Sequence, residues 1–281
     1  MSLEAIQTVD IPFETKEETL KRISDYTVGF VKPTGLDGHD ATLGGSGTLV
    51  KIDECHAILT AAHVVKELRK REEIGLILSG SPRGQIHKFT FHRELMREVQ
   101  LPRKESLRAS DPPDLSLVIL PEAILGNITA RKSFYNISKH RPHQLSAPPN
   151  YHLGYWAIIG FAEELSGERP PSHGFQRVRE FNGKIVWGFA NPLESDSEFD
   201  AWTFTIRRDE SYDGPENFEG YSGGGLWQIL FEKTKNGKIR LTQTILSGVA
   251  FYQSGFQNDS NTIFFNGREC IYKFIVDALK A

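Results

Sequence analysis

The chain has 281 residues, of which 39% are hydrophobic and 25% charged, with a formal net charge of -3. This composition is typical of a soluble protein long enough for one large domain or two medium ones. The slightly negative charge argues against a general nucleic-acid partner. No run approaches 18 apolar residues, so a membrane-spanning helix is not expected.

The N-terminal segment is acidic and lacks a basic start followed by an apolar stretch, so we expect no secretory signal. Cys55 and Cys270 are the only cysteines, too few for the disulfide framework of an extracellular protein. The sequence therefore predicts two free thiols and a cytoplasmic setting.

The first half of the chain has the pattern of short strands. Residues 1–25 form an extension, with a helix expected at 16–24, and a second short helix is expected at 64–72, directly after His63. Brief apolar or alternating runs separated by turn residues predict strands. Six such runs lie at 26–33, 45–52, 56–62, 74–80, 87–94 and 115–121.

A second series of strands follows a change in composition. Residues 126–150 contain basic residues and end in "SAPPN", which predicts a linker. Apolar positions recur at three- and four-residue spacing in "GRECIYKFIVDALKA" (267–281), which indicates an amphipathic C-terminal helix. We therefore predict two successive all-β barrels or sandwiches, over 26–125 and 151–281. The second series of strands lies at 154–162, 183–190, 201–208, 225–231, 241–253 and 261–266.

The stretch "EGYSGGGLWQ" (219–228) places one serine, Ser222, among four glycines and then returns to apolar residues. A P-loop would need a lysine followed by Ser or Thr after the last glycine, and none is present. Such glycines indicate a tight turn between strands, in which backbone N–H groups approach something closely. Ser222 is thus either a turn residue or a nucleophile.

A nucleophilic serine needs a base, usually a histidine that a carboxylate orients. Among nine histidines, His63 stands out because "ILTAAHVV" places it between an apolar strand and a short helix, where its side chain can face a cleft. Asp114 precedes a buried-looking strand, and Asp111 lies three residues earlier, in a position that suits a turn former. The pair Cys55–His56 with His63 has no common zinc spacing, so no metal and no cofactor are expected.

At three points the chain resembles the trypsin-like (chymotrypsin-fold) serine peptidases. "LTAAHVV" (59–65), "DLSLVIL" (114–120) and "GYSGG" (220–224) are similar to the histidine, aspartate and nucleophile motifs of that family, in the same order. The resemblance implies an all-β fold of two six-stranded antiparallel barrels with a C-terminal helix. The first barrel then carries His63 and Asp114, and the second carries Ser222.

The resemblance also implies roles for other residues. The oxyanion hole would be made by the backbone N–H groups of Gly220 and Ser222. Glu216 would lie at the floor of the primary specificity pocket, where a carboxylate suits Arg or Lys, although the same acidic loop is equally well read as a solvated one. The strand that pairs with substrate would pass through Phe251, Tyr252 and Gln253.

The sequence departs from the family pattern in the residue before the serine. Secreted members have an aspartate there, which pairs with a new N-terminal amine after cleavage, whereas this chain has Tyr221. Activation by N-terminal cleavage is therefore not expected. The form resembles the bacterial and intracellular branch of the family, and "GGSGTLV" (44–50) fits that branch too.

The resulting expectation is a cytoplasmic serine endopeptidase that cuts a protein or peptide substrate, with an activating partner protein as one means of control. Two alternatives stay open. One is an inactive trypsin-like scaffold that only binds, and the other is a serine esterase or amidase with the same triad. An α/β-hydrolase is excluded because its triad runs Ser, acid, His.

Overall fold

The fold was taken from a computed structural model, which describes residues 11–33, 41–78, 88–103, 108–146, 154–169, 178–194, 197–208, 212–257 and 259–281. It is mostly β, as predicted, and all the strands except one short hairpin fall into two successive sheets. Within these described ranges there are five α-helices: α1 Phe13–Ser24, α2 Ala62–Leu68, α3 Glu122–Thr129, α4 Ile137–Ser146 and α5 Ile275–Lys280. A π-helical turn, Cys270–Phe274, leads into α5.

The first sheet contains strands β1 to β8. Its path runs β5-β4-β1-β2-β3-β7-β6 with antiparallel neighbours, and β8 adds to β2 in parallel. No pairing among the described residues joins its two outer strands, β5 and β6, so this sheet is curled but open. Its strands are β1 Thr27–Pro33, β2 Ala41–Ile52, β3 Cys55–Thr60, β4 Glu73–Ile77, β5 Lys88–His92, β6 Arg97–Gln100, β7 Ser116–Ile119 and β8 Tyr135–Asn136.

The second sheet closes on itself. The order β12-β13-β16-β15-β14-β9 is a closed antiparallel barrel, formed by the six strands that the sequence predicts for this half. Strands β10 and β11 form a separate hairpin. The strands are β9 Tyr155–Phe161, β10 Gly167–Arg169, β11 Val178–Glu180, β12 Gly183–Leu193, β13 Ala201–Arg207, β14 Gly225–Lys233, β15 Ile239–Gln257 and β16 Ser260–Asn266.

The segment 126–150, expected to be a linker, has regular structure in its described part. It carries the end of α3, strand β8, which pairs with β2, and helix α4. Helix α4 packs on the C-terminal turn, and Arg141 in it donates to the carbonyl oxygen of Tyr272 at 2.7 Å. The link between the two sheets therefore adds to the body of the protein.

One of the buried hydrophobic clusters spans the two sheets. Val50 and Leu59 of the first sheet belong to the same buried cluster as Trp227 and Leu246 of the second. The C-terminal turn also inserts Ile271 into this cluster, in agreement with the predicted amphipathic helix. In the described part of the chain, no helix is both long enough and apolar enough to cross a membrane.

Candidate active site

His63 and Asp114 meet because of the register of two neighbouring strands. Strands β3 and β7 are antiparallel, with Thr60 opposite Ser116. His63 follows the end of β3, in the first turn of α2, and Asp114 precedes the start of β7, so the two lie at the same edge of the sheet. The imidazole Nδ1 is 2.7 Å from Asp114 Oδ2, and the backbone N–H of His63 donates to Oδ1 at 3.0 Å.

The environment of Asp114 favours its ionised form. Burial opposes the charge, but the hydrogen bonds from the ring and backbone of His63, and the nearby Arg103 guanidinium, outweigh it and hold the pKa of Asp114 below its usual value. Asn266 fixes the backbone of Asp114: its side chain accepts from the Asp114 N–H at 2.8 Å and donates to the Asp114 carbonyl at 2.9 Å. Asn266 ends β16, so the second sheet holds a residue of the first.

Ser222 opens onto the same cavity as His63. The cavity has a volume of about 380 Å³. Among the described residues no hydrogen bond joins the Ser222 hydroxyl to the imidazole. Catalytic contacts are often long in a site without substrate. The cavity is lined by Lys32, Leu43, Gly44, Gly45, His63, Val64, Glu67, Asn217, Phe218, Glu219, Gly220, Tyr221, Ser222, Ala250, Phe251, Tyr252, Gln253 and Ile263.

The turn before Ser222 presents two open backbone donors. Gly220 has φ +96°, a conformation that other residues rarely adopt, and a Cβ at this position would overlap the side chain of Leu43. Within the described part of the chain, the N–H groups of Gly220 and Ser222 donate no hydrogen bond. Both residues line the cavity, so these N–H groups are available for an oxyanion.

Ser46 of β2 connects the turn that carries Ser222 to the first sheet by hydrogen bonds. Its hydroxyl donates to the Gly220 carbonyl at 2.7 Å and accepts the Phe161 N–H at 2.9 Å. Its own N–H donates to the Ser222 carbonyl at 2.8 Å. The carbonyls of Gly220 and Ser222 are thus both bound by Ser46, which is not among the residues that line the cavity. The sequence analysis did not identify this role, although Ser46 lies within "GGSGTLV".

Phe251, Tyr252 and Gln253, which the sequence analysis assigned to a substrate-pairing strand, line the cavity. They lie on β15, which pairs with β16 on one side. Phe251 is buried and packs on the core of the first sheet, whereas Tyr252 is exposed. The carboxamide of Gln253 is engaged in the loop before the serine, where it accepts the Phe218 N–H at 3.0 Å.

Glu216 does not reach this cavity. Its side chain is 78% exposed and forms an ion pair with Arg208 at 3.0 Å. The backbone N–H of Glu216 donates to Glu164 Oε1 at 2.7 Å. An acidic pocket floor at Glu216, expected from the family resemblance, is therefore not found here.

The structure also gives the contacts of Asp111 and Tyr221, which the sequence analysis singled out. Asp111 accepts hydrogen bonds from Arg108 within its own turn, which fits the turn-former reading. Tyr221 is buried, and its hydroxyl donates to the Lys184 carbonyl at 2.9 Å, so it anchors the turn that carries Ser222 by packing and one hydrogen bond. No group of three potential metal ligands occurs among the residues that the structure describes.

Comparison of the sequence with protein-family models and with curated proteins found no match.

Proposed function

We propose that this protein is a serine endopeptidase with a trypsin-like fold, in which Ser222 is the nucleophile, His63 the general base and Asp114 the residue that orients the base. The observation that carries the proposal is the 2.7 Å pair between His63 Nδ1 and Asp114 Oδ2, on a cavity that Ser222 shares. A carboxylate at this distance holds the proton on Nδ1 and leaves Nε2 free to accept one.

The chemistry is acyl transfer. Ser222 Oγ attacks the carbonyl carbon of the substrate while His63 Nε2 takes the hydroxyl proton, and the same proton then goes to the leaving amine. The oxygen of the tetrahedral intermediate becomes negative and is bound by the open N–H groups of Gly220 and Ser222. Water then repeats the sequence on the acyl-enzyme, which releases the acid product and restores the serine.

The cavity wall supports a peptide substrate over a small ester. In the described part of the chain, β14 pairs with β15 only as far as Val249, so the segment beyond it has no strand neighbour on that side. Tyr252 and Gln253 lie in this segment and line the cavity. An extended peptide can add to such a strand by main-chain hydrogen bonds.

The first test is labelling with a fluorophosphonate, which reacts with activated serines. We expect wild-type protein to be labelled and Ser222→Ala to remain unlabelled while keeping the same circular dichroism spectrum. Unlabelled wild-type protein would instead support the inactive scaffold. Wild-type protein that has not been treated with fluorophosphonate is then assayed with a mixed peptide library and with a set of aryl esters. The substrates that it cleaves separate a peptidase from an esterase or amidase.

The preference for Arg or Lys before the cut loses its structural support, because Glu216 lies outside the cavity. The cytoplasmic setting, the bacterial origin and an activating partner protein stay predictions.

A further inference from the structure

The loop before the nucleophile is held by an acidic side chain from a neighbouring turn. After β9 the chain makes a short 3-10 turn, Glu163–Leu165. The carboxylate of Glu164 accepts two consecutive backbone N–H groups, that of Glu216 at 2.7 Å and that of Asn217 at 2.8 Å. Both oxygens of one carboxylate are thus used to fix two adjacent peptides, an arrangement with charge-assisted hydrogen bonds.

The next two N–H groups of the loop are bound in the same manner. Gln253 Oε1 accepts the Phe218 N–H at 3.0 Å, and Asn217 Oδ1 accepts the Glu219 N–H at 2.9 Å. Gln253 Nε2 also donates to Asn217 Oδ1 at 2.8 Å, which links the two. Four consecutive N–H groups therefore end on side-chain oxygens, and the fifth, that of Gly220, is the open donor at the cavity.

The direction of that open donor is set by the turn that carries Glu164. The N–H of Glu163 donates to the carbonyl of Glu219 at 3.0 Å. A trans peptide is planar, with its N–H opposite its C=O. Because the carbonyl of the Glu219–Gly220 peptide points to Glu163, its N–H points away from Glu163, and Gly220 itself lines the cavity. A flip of this one peptide would remove the donor.

We propose that Glu164 is a positioning residue for the oxyanion hole. Its carboxylate binds the backbone N–H groups of Glu216 and Asn217 and so connects the loop to the 3-10 turn. This connection keeps the Glu219 carbonyl hydrogen-bonded to the Glu163 N–H and keeps the Gly220 N–H directed to the cavity. Glu164 does not touch the substrate, since it is not among the residues that line the cavity. The assignment rests on the proposed function of Ser222 as nucleophile.

The test compares three variants by the kinetics of fluorophosphonate labelling. Glu164→Ala removes both acceptors, and Glu164→Gln keeps one oxygen. Asp213→Ala is the matched control, because Asp213 lies in the same loop region and is exposed, but binds the Lys184 side chain and not the loop backbone. Loss of an oxyanion donor typically lowers a rate by about 10²–10³.

We expect the limiting rate kinact of Glu164→Ala to fall by about 10-fold or more, since a loosened donor is populated part of the time. The half-saturating concentration KI should stay unchanged, Glu164→Gln should be intermediate, and Asp213→Ala should match wild type. Hydrogen exchange of the peptide spanning 212–221 should speed up in Glu164→Ala, with β9 and β14 as protected as in wild type. If β9 and β14 also exchange faster in Glu164→Ala, only the rates of Glu164→Gln are compared with those of wild type.

A wild-type kinact in a folded Glu164 variant, or a change confined to KI, would overturn the positioning role and leave the proposed function intact. Wild-type protein that does not label would overturn the proposed function itself, and the positioning role would fall with it.

Discussion

Asp114 is bound on both carboxylate oxygens by a single residue. His63 supplies the ring nitrogen to one oxygen and its backbone N–H to the other, so the imidazole plane and the start of α2 are fixed together. Asn266 fixes the backbone of Asp114 from behind. The orientation of the His63 imidazole therefore depends on an aspartate that is itself anchored, which makes it sensitive to a change of one atom.

We expect Asp114→Asn to lower labelling and turnover by about 10⁴, because an amide at this place favours the wrong tautomer of the imidazole. The matched control is Asp111→Asn, which changes an aspartate three residues away that contacts Arg108 and not His63. Initial rates with a fluorophosphonate provide the measurement. Inactivation by Asp111→Asn, with Asp114→Asn active, would show that the wrong carboxylate has been assigned.

The turn that carries Ser222, residues 220–224, packs against the opposite sheet. Gly223 has φ +89°, and a Cβ there would overlap the carbonyl oxygen of Ser46 and the hydroxyl of Thr60. The turn therefore lies directly against β2 and the end of β3, and its glycines leave room for that approach.

A left-handed backbone conformation alone destabilises a residue with a side chain by about 1–2 kcal/mol. We expect Gly223→Ala to destabilise the protein by more than this, because the added Cβ would also overlap backbone atoms of the neighbouring strand. Gly237→Ala isolates the backbone effect, since Gly237 has φ +76° but nothing within 4 Å of a Cβ. Urea unfolding gives both values. Equal losses for the two variants would mean that the turn can move away from β2.

The sequence predicts well those features that depend on local pattern. The six strands of the closed barrel follow from alternating and apolar runs, and His63 and Asp114 follow from their places at strand ends. Strand β6, "REVQ", has one aliphatic residue and β8 has two residues, so neither produces a periodic signal. Glu164 and Asn266 act across 52 and 152 residues of chain, and no local pattern indicates such contacts.

A single cluster of buried hydrophobic residues contains side chains from both sheets. The cluster that contains Val50 of β2 also contains Trp227 of β14 and Cys270 of the C-terminal turn. Burial raises the pKa of the Cys270 thiol well above its usual value, which keeps it protonated and unreactive. Cys55 is half-buried, and both cysteines are free thiols, as predicted.

Because the interior is shared, we expect the two sheets to unfold in a single transition, and Cys270 reports on it. Alkylation of folded protein should be confined to Cys55, and the Cys270 mass increment should appear with urea at the same midpoint as the loss of circular dichroism. Alkylation of Cys270 well before that midpoint would reveal separate unfolding of one sheet. A mass lower by two hydrogens in unreduced protein would reveal a Cys55–Cys270 bond.

The contact between Asn266 and Asp114 bears on the order of events during synthesis. Asn266 lies at the end of β16. It is hydrogen-bonded to Asp114, which leaves the ribosome 152 residues earlier. His63 and Asp114 can emerge and fold onto the first sheet, but Ser222 and Asn266 are synthesised only with the second sheet. The proposed site can therefore be completed only after residue 266 has left the ribosome.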